Sequence, residues 1–223
     1  MNIEEYADRE MLVINLANKI AGEIRNCLLH HEFASFAVPG GTTPGPIFDA
    51  LCSVDLDWSR VHVLLTDERW VPEENARSNT ALVRERLLTE RAAAATFVPF
   101  YRDGLSAAEA APEIAEALAP ELPVSVLLLG MGEDMHTASL FPGAPGLSQA
   151  LDPDAPAVVA VSPDSQPEER ISLSGPVLDG AMSKHLVIFG QAKRDALERA
   201  ATLSGEDAPI GAVIGGGTVH WAA

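Results

Sequence analysis

The strongest constraint on the fold is a repeated alternation of short apolar runs with longer amphipathic segments. Four runs are almost wholly apolar, at 34–38, 61–65, 124–129 and 186–189. Such runs are typical of strands that are buried on both faces of a parallel sheet. The segments between them carry apolar residues at helical spacing, as in the predicted first helix over 5–29. The pattern predicts a three-layer α/β fold, in which a mostly parallel twisted sheet has helices on both faces.

Weaker patterns predict the elements between these runs. Ser78 can cap a helix over 78–90, and Ser106 opens a capping box that starts a helix ending near residue 118. Residues 213–221 are predicted to form a turn between two edge segments. The remaining predictions are helices near 137–141, over 176–182 and over 193–202, and strands at 97–100 and 158–161, whereas 171–173 is too short to be assigned as a strand.

Length and charge limit the class of protein. With 223 residues, 47% of them apolar, and no linker between two self-sufficient halves, residues 1–223 are expected to form a single domain. The net charge of −17 argues against nucleic acid and anionic membrane surfaces as partners, because both need basic patches. A small phosphorylated molecule remains possible where the few basic residues are concentrated. A monomer or weak dimer is expected.

The sequence gives no sign of a membrane or secretory location. No apolar stretch approaches the ~20 residues that a membrane helix requires, and the start Met-Asn-Ile-Glu-Glu lacks the features of a signal peptide. Cys27 and Cys52 lack the spacing of a metal site or a disulfide framework. A cytoplasmic protein with reduced thiols is therefore expected.

Polar residues follow three of the apolar runs directly. Pro-Gly-Gly-Thr-Thr-Pro occupies 39–44, Thr-Asp-Glu-Arg-Trp occupies 66–70, and a glycine-rich run with an acid and a histidine occupies 130–143. In an open α/β sheet, ligands collect in the crevice outside the carboxyl ends of the strands. The sequence therefore predicts a binding site that is built from these three segments.

The last of these segments contains Asp134 and His136. A histidine at a strand end can titrate near neutral pH, and a carboxylate two residues away can orient it as a base. An ordinary loop histidine that caps the next helix is the alternative. Because this histidine lies among other polar strand ends, we favour the catalytic interpretation.

The segment Gly40-Gly41-Thr42-Thr43 offers backbone N–H groups and two hydroxyls before a predicted helix. Such a segment can bind an anion; the alternative is a tight turn in which Thr42 or Thr43 caps the helix. It matches neither a Gly-x-Gly-x-x-Gly fingerprint nor a P-loop, so no nucleotide cofactor is expected. Nothing in the chain has metal-ligand spacing, and no Gly-x-Ser-x-Gly motif is present, so neither a metal nor a serine nucleophile is expected.

Three cations lie beside strand-like runs. In Asp67-Glu68-Arg69, alternation along a strand would direct Asp67 and Arg69 to one side and Glu68 to the other. Arg69 could then stabilise an anionic group, unless it forms a structural ion pair with its acidic neighbour. Arg170 follows two glutamates and could simply be a solvated surface charge. Lys193 starts a helix, where the dipole disfavours a cation, which suggests a ligand.

Taken together and in order, these motifs resemble the 6-phosphogluconolactonase family. The resemblance spans about residues 5–222 and includes Ser78-Asn79, the segment 170–174 and the segment 190–193. That family shares its fold group with glucosamine-6-phosphate deaminase and ribose-5-phosphate isomerase. The resemblance implies the same three-layer architecture, with mixed edge strands, and the hydrolysis of 6-phospho-D-glucono-1,5-lactone without a cofactor.

The resemblance also implies a role for each candidate residue. His136 would be the base that activates water, Asp134 its orienting partner, and Arg69 an electrostatic contributor. Asp67 would set the geometry of its loop or bind sugar hydroxyls. The remaining candidates would hold the substrate and its phosphate: Gly40, Gly41, Thr42, Thr43, Arg170 and Lys193.

Two other functions and one departure from the family pattern need to be considered. A glucosamine-6-phosphate deaminase-like enzyme would continue after the histidine with Ile-Ala-Phe-Asn-Glu-Pro, whereas this chain continues with Thr-Ala-Ser-Leu-Phe-Pro-Gly. A non-catalytic sugar-phosphate sensor would have no need of His136. Met135 replaces the family's usual glycine between Asp134 and His136, and we predict a negative φ there with a locally shifted loop.

Overall fold

The computed structural model describes residues 2–163 and 166–223, and a seven-stranded parallel sheet forms its centre. The order of strands in this sheet is β1-β10-β9-β6-β2-β3-β5, and every neighbouring pair is parallel. The strands of the chain are β1 Asn2–Glu5, β2 Ala34–Val38, β3 Val61–Leu65, β4 Asp67–Arg69, β5 Thr96–Val98, β6 Val126–Leu129, β7 Val158–Val161, β8 Arg170–Leu173, β9 Ser183–Phe189 and β10 Thr218–Ala222.

Strands β4, β8 and β7 form a second, antiparallel sheet of three strands. β4 follows β3 after a single residue, Thr66, so the chain passes directly from one sheet to the other. Mixed strands were predicted at the edges of the large sheet. This prediction was wrong, because the antiparallel strands pair with one another in a separate sheet. In this register Arg69 lies opposite Arg170 and Asp67 lies opposite Ser172.

Helices flank both faces of the large sheet, which confirms the predicted α/β fold. The longest helix, α1, packs against β2, β6 and β10. Within the described residues, no helix is long and apolar enough to cross a membrane. The helices are α1 Arg9–Leu28, α2 Gly45–Leu51, α3 Asn79–Arg86, α4 Ala107–Leu118, α5 Leu147–Leu151, α6 Gly175–Asp179, α7 Gln191–Ala200 and α8 Pro209–Val213, with 3₁₀ turns at Trp58–Arg60, Glu90–Ala94 and Ala119–Glu121.

The predicted helix starts were right where the cap is a serine. The Ser78 hydroxyl accepts the Ala81 N–H, and Ser106 forms the full capping box. The start of α2 was predicted wrongly: the helix begins at Gly45 without a side-chain cap. The Thr42 and Thr43 hydroxyls are therefore left available for a ligand.

The predicted helix near 137–141 is absent. Thr137 and Leu140 instead bridge a tight turn, in which Ala138 has a φ of +48°. The Ser139 hydroxyl of this turn donates to Asp67 at 2.6 Å. A left-handed residue cannot belong to a regular right-handed helix, and the next helix begins only at Leu147.

The C-terminal strand is not at an edge, contrary to prediction. β10 pairs with β9 on one side and with β1 on the other. β1 was not predicted because Asn2-Ile-Glu-Glu5 has one apolar residue and no alternation. Its pairing covers β10, whose His220 is fully buried. The His220 ring lies 3.0 Å from the ring of His185, and the Tyr6 hydroxyl lies 2.8 Å from its other nitrogen.

His220→Gln should make the stability of the fold less sensitive to acid. Burial, and then the charge of His185, lowers the pKa of His220 from 6.5 to about 4. Since the unfolded chain binds this proton more readily, the stabilising contribution of His220 is complete above pH ~6.5 and is lost as the pH falls toward ~4. Urea unfolding across this range should show a slope of up to about 1.4 kcal/mol per pH unit from this residue.

The matched control for this slope is His30→Gln, because His30 is exposed. It should leave the pH dependence of the unfolding free energy as it is in the unmodified protein. Identical slopes for the His220 variant and the unmodified protein would contradict the expectation.

Candidate active site

Four neighbouring strands at the middle of the large sheet position the site. The order β9-β6-β2-β3 places their carboxyl ends side by side. After β2, the chain first adds β3 and β5 on one side of that strand, and then adds β6, β9 and β10 on its other side. The connections therefore diverge between β2 and β6, and an open α/β sheet binds ligands at such a switch point.

A cavity of about 250 Å³ lies at this point. Segments that follow all four strands line it, as the strand-end motifs predicted. The predicted site residues on its wall are Gly40, Gly41, Thr42, Thr43, Asp67, Arg69, His136, Arg170 and Lys193. Asp134 is not part of the wall but contacts His136. Pro39, Asn79, Gly130, Met131, Gly132 and Ala138 complete the lining.

His136 and Asp134 form a hydrogen-bonded pair. The Asp134 Oδ1 lies 2.5 Å from His136 Nδ1 and also accepts the His136 backbone N–H at 3.2 Å. The imidazole stacks on Phe141, with 4.4 Å between ring centroids. The hydrogen bond from His136 holds the pKa of Asp134 below its ordinary value. Asp134 is therefore a carboxylate near neutral pH, and it favours the tautomer in which Nε2 of His136 can accept a proton.

A compact loop holds this pair in place. The Gly132 N–H donates to the His136 carbonyl at 3.0 Å, and the Thr137 hydroxyl donates to the Gly130 carbonyl at 2.8 Å. A Cβ on Gly132 would overlap both Asp134 Oδ1 and the His136 ring. Gly132 is thus required for space rather than for an unusual φ, and its presence in the motif is explained by the pair that it accommodates.

Met135 lies between the two members of the pair. Its φ is +68°, so the prediction of a negative φ in a shifted loop was wrong. The loop keeps the left-handed conformation for which glycine is usual. The Met135 carbonyl accepts the Ile210 N–H of α8 at 3.2 Å, and its half-buried side chain packs against the core. These contacts offset the strain of a positive φ, which costs an ordinary residue roughly 1–2 kcal/mol.

Met135→Gly should be neutral or should raise the free energy of unfolding by about 1 kcal/mol. Glycine relieves the backbone strain, but it loses the packing of the methionine side chain and adds freedom to the unfolded chain. Met135→Ala is the control, because alanine loses the same packing and retains the strain. Urea unfolding should rank the glycine variant above the alanine variant, and the reverse order would contradict the strain argument.

Asp67 is bound within the protein. Its carboxylate accepts the Ser139 hydroxyl at 2.6 Å and the Thr66 hydroxyl at 3.2 Å, and Oδ2 lies 3.9 Å from Arg170 Nη1. The ion pair of Asp67 is therefore with Arg170 and not with its neighbour Arg69. Asp67 and Arg69 both line the cavity, whereas Glu68 between them is fully buried.

Arg170 is not the solvated surface charge that its acidic neighbours could suggest. It is 4% exposed, and Glu168 pairs with Arg77 instead. Nη2 of Arg170 donates to Gln166 at 2.6 Å, and its guanidinium lies 5.8 Å from the centroid of the Phe141 ring. Burial lowers the pKa of Arg170, so an anion in the cavity would offset the cost of burying this charge.

Lys193 lies in the first turn of α7 and lines the cavity. Burial lowers its pKa, and the charge of Glu133 only partly opposes that effect. Among the residues that the structure describes, none forms a hydrogen bond or an ion pair with its ammonium group. The cavity thus contains a cation that a bound anion could neutralise.

Several buried polar atoms of the cavity residues have no hydrogen-bond partner among the described residues. Within the described part of the chain, four such side-chain atoms occur, and three of them are Arg69 Nε, Asn79 Oδ1 and Arg170 Nε. An unsatisfied buried group costs about 1–3 kcal/mol, and a polar ligand in this cavity would offset that cost. Asn79 was not predicted as a site residue. Its position directly after the cap Ser78, in a motif shared with the family, was the available signal.

The arrangement combines a histidine–carboxylate pair with an excess of positive charge. Arg69, Arg170 and Lys193 face one buried acid, Asp67, in a protein whose net charge is −17. Such a cavity suits an anionic molecule that carries a group open to attack by water.

This sequence pattern is shared with known proteins. The family model described as "Glucosamine-6-phosphate isomerases/6-phosphogluconolactonase" matches residues 7–221. A 6-phosphogluconolactonase of Pseudomonas aeruginosa is 42% identical over 211 residues, which cover 92% of this chain and 88% of that protein. One of Rhizobium meliloti is 39% identical and covers 96% of this chain and 93% of its own length.

The fold is likewise shared with solved structures. The crystal structure of a 6-phosphogluconolactonase from Shewanella baltica has a TM-score of 0.96 to this chain at 34% identity. The match covers 100% of this chain and 98% of that structure. The chain belongs to the glucosamine-6-phosphate isomerase/6-phosphogluconolactonase family.

Proposed function

We propose that this protein is a 6-phosphogluconolactonase, which hydrolyses 6-phospho-D-glucono-1,5-lactone to 6-phosphogluconate in the pentose phosphate pathway or a related route of glucose 6-phosphate oxidation. The observation that carries the proposal is the pairing of the Asp134–His136 dyad with three cations on one cavity wall. The names of its relatives support the same reaction. A lactone is an activated ester, so its hydrolysis requires no covalent intermediate.

His136 is the proposed base. Its Nε2 takes a proton from water as the water oxygen attacks the lactone carbonyl carbon, and Asp134 stabilises the imidazolium that forms. The tetrahedral intermediate then collapses by breaking the bond between that carbon and the ring oxygen. The imidazolium returns its proton to the ring oxygen, which becomes a hydroxyl, and the product carboxylic acid ionises.

Arg69 is the proposed electrostatic group for this step. Its guanidinium lines the cavity, and its Nη1 donates to the Arg77 carbonyl at 2.6 Å, which fixes its direction. A fixed cation near the carbonyl oxygen stabilises negative charge as it develops there. Its unpartnered Nε remains a donor for the same anion.

The phosphate is proposed to bind Arg170, Lys193 and the segment 40–43. Lys193 would act as a point charge, whereas Arg170 offers a planar set of donors. Asp67 fixes Arg170 and the turn that contains Ser139, so we assign it to setting the geometry of the site. Gly41 has a φ of +87°, and this glycine conformation turns the segment along the cavity wall.

The test is an assay of acid release from freshly prepared 6-phosphogluconolactone, measured against spontaneous opening. The purified protein should accelerate opening well above that background, and His136→Asn is the matched control. No acceleration would overturn the proposal. Release of ammonia from glucosamine 6-phosphate would indicate the deaminase alternative, and binding without turnover would indicate a sensor; the relatives favour neither.

Further expectations concern the protein as a whole. We infer that residues 1–223 form one domain, because a single apolar core extends from Leu12 in α1 to Ala222 in β10. Cys27 and Cys52 are free thiols, which supports a cytoplasmic location. A monomer or weak dimer that acts on a small sugar phosphate, without nucleic acid or membrane partners, is proposed, and light scattering would test the oligomeric state.

A further inference from the structure

Glu68 is a buried acid that the reaction above does not use. It lies between Asp67 and Arg69 on β4 and is 0% exposed. One carboxylate oxygen accepts the backbone N–H groups of Arg69 and Asn79, each at 2.7 Å. The other accepts the Thr80 N–H and hydroxyl, both at 2.8 Å, and the Ser78 hydroxyl at 3.2 Å. All five partners are donors in this arrangement, so the ionised carboxylate matches them.

These bonds join β4 to the start of α3. The first turn of that helix presents free N–H groups and the positive end of its dipole, and the Glu68 carboxylate occupies that position. Burial raises the pKa of Glu68, and the bonds to Asn79, Thr80 and Arg69 oppose that effect by stabilising the charged form. The positive end of the α3 dipole is thus neutralised by the Glu68 carboxylate.

The residues on either side of Glu68 are joined to the same segment. Asn79 Nδ2 donates to the Asp67 carbonyl at 2.8 Å. Arg69 Nη1 donates to the carbonyl of Arg77, one residue before the Ser78 cap. Each residue of β4 is therefore bound to residues 77–80, and Glu68 makes the central and most numerous of these contacts.

We propose that Glu68 is a positioning residue for lactone hydrolysis, which holds the guanidinium of Arg69 in the direction that the reaction needs. The inference rests on the proposed function. Glu68 fixes Arg69 twice, through the Arg69 backbone N–H and through the segment that carries the Arg77 carbonyl. Because Arg69 acts on charge that develops during the reaction, loss of Glu68 should affect kcat more than KM.

Glu68→Gln is the first test. Each carboxylate oxygen accepts at least one backbone N–H, so the amide NH₂ of glutamine must face a donor whichever way it turns. We expect kcat to fall by about 10- to 100-fold, as a small displacement of a catalytic group does, while KM changes by less than about 3-fold. Ser106→Ala is the matched control, because it removes a helix cap from α4 and should leave kcat unchanged.

A double-mutant cycle separates positioning from a general loss of stability. If Glu68 acts through Arg69, Glu68→Gln should lower kcat little or not at all in an Arg69→Gln background. An equal loss in both backgrounds would overturn the proposal, as would an unchanged kcat in Glu68→Gln alone. Should Glu68→Gln fail to fold, Thr80→Val removes only one hydroxyl bond and should give a smaller decrease with the same dependence on Arg69.

The outcomes for the two proposals are distinct. An unmodified protein without lactonase activity would overturn the proposed function and this inference with it. An active protein in which the Glu68 and Thr80 variants keep the full kcat would overturn the inference alone.

Discussion

His136→Asn should lower kcat/KM for 6-phosphogluconolactone by about 10²–10⁴-fold, which is the usual range for removal of a general base. Asparagine retains much of the size of the ring and can still hydrogen-bond to Asp134, but it cannot take a proton from water. The fold and the phosphate contacts should be unchanged. Steady-state assays with subtraction of spontaneous opening, together with product binding by calorimetry, would measure both effects.

The same variant also tests whether the base is His136 or another group on the cavity wall. Full activity in the asparagine variant would place the base elsewhere, and Asp67 would be the next candidate, since it is a carboxylate on the cavity wall.

The central part of the fold could be predicted because its signals are local. The runs at 34–38, 61–65 and 186–189 are apolar enough to be recognised without their neighbours, and each lies within a strand of the parallel sheet. The polar motifs that follow the runs at 34–38, 61–65 and 124–129 then meet at one edge, since parallel strands end on the same side. The predicted site residues consequently lie together, although the sequence did not reveal the strand order.

The elements that could not be predicted depend on distant partners. β1 is polar and becomes a strand only because β10 provides its hydrogen bonds. Residues 137–140 were predicted as a helix, but Thr137 pairs with Leu140 in a turn, and Ser139 donates to Asp67 on a strand far away in the sequence. The contacts of Glu68 could not be predicted for the same reason. Its partners lie at the start of α3, about ten residues further along the chain.

Met135 shows a different limit of prediction from the sequence. The family pattern correctly identified a position that glycine normally occupies, and the φ of +68° explains that preference. The error was to assume that a methionine must relax the loop. The bond from Ile210 to the Met135 carbonyl and the hydrogen bond between Asp134 and His136 hold the loop from two sides. Such a balance between strain and tertiary contacts cannot be read from a local sequence.

Lys193→Ala should raise KM for the phosphorylated lactone by about 10- to 100-fold and change kcat much less. Lys193 is a half-buried cation without a hydrogen-bond or ion-pair partner among the described residues. Loss of one charge-assisted contact to phosphate corresponds to roughly 1.5–3 kcal/mol. Because the phosphate is remote from the carbonyl, most of this energy is lost equally from the ground state and the transition state, which is why the effect should appear in KM.

Unphosphorylated gluconolactone isolates the contribution of the phosphate. It should be a poor substrate for the unmodified protein, and Lys193→Ala should leave its kcat/KM nearly unchanged, since the missing charge has no anion to bind. Lys19→Ala removes the same charge from a lysine that pairs with Glu4 and does not line the cavity, so it should affect neither substrate. Near-equal turnover of the two lactones by the unmodified protein would contradict a phosphate site at Lys193. An equal loss of kcat/KM on both lactones in the alanine variant would instead mean that Lys193 maintains the shape of the cavity. The two substrates differ only in the phosphate, so only a contact with that group can make the losses differ.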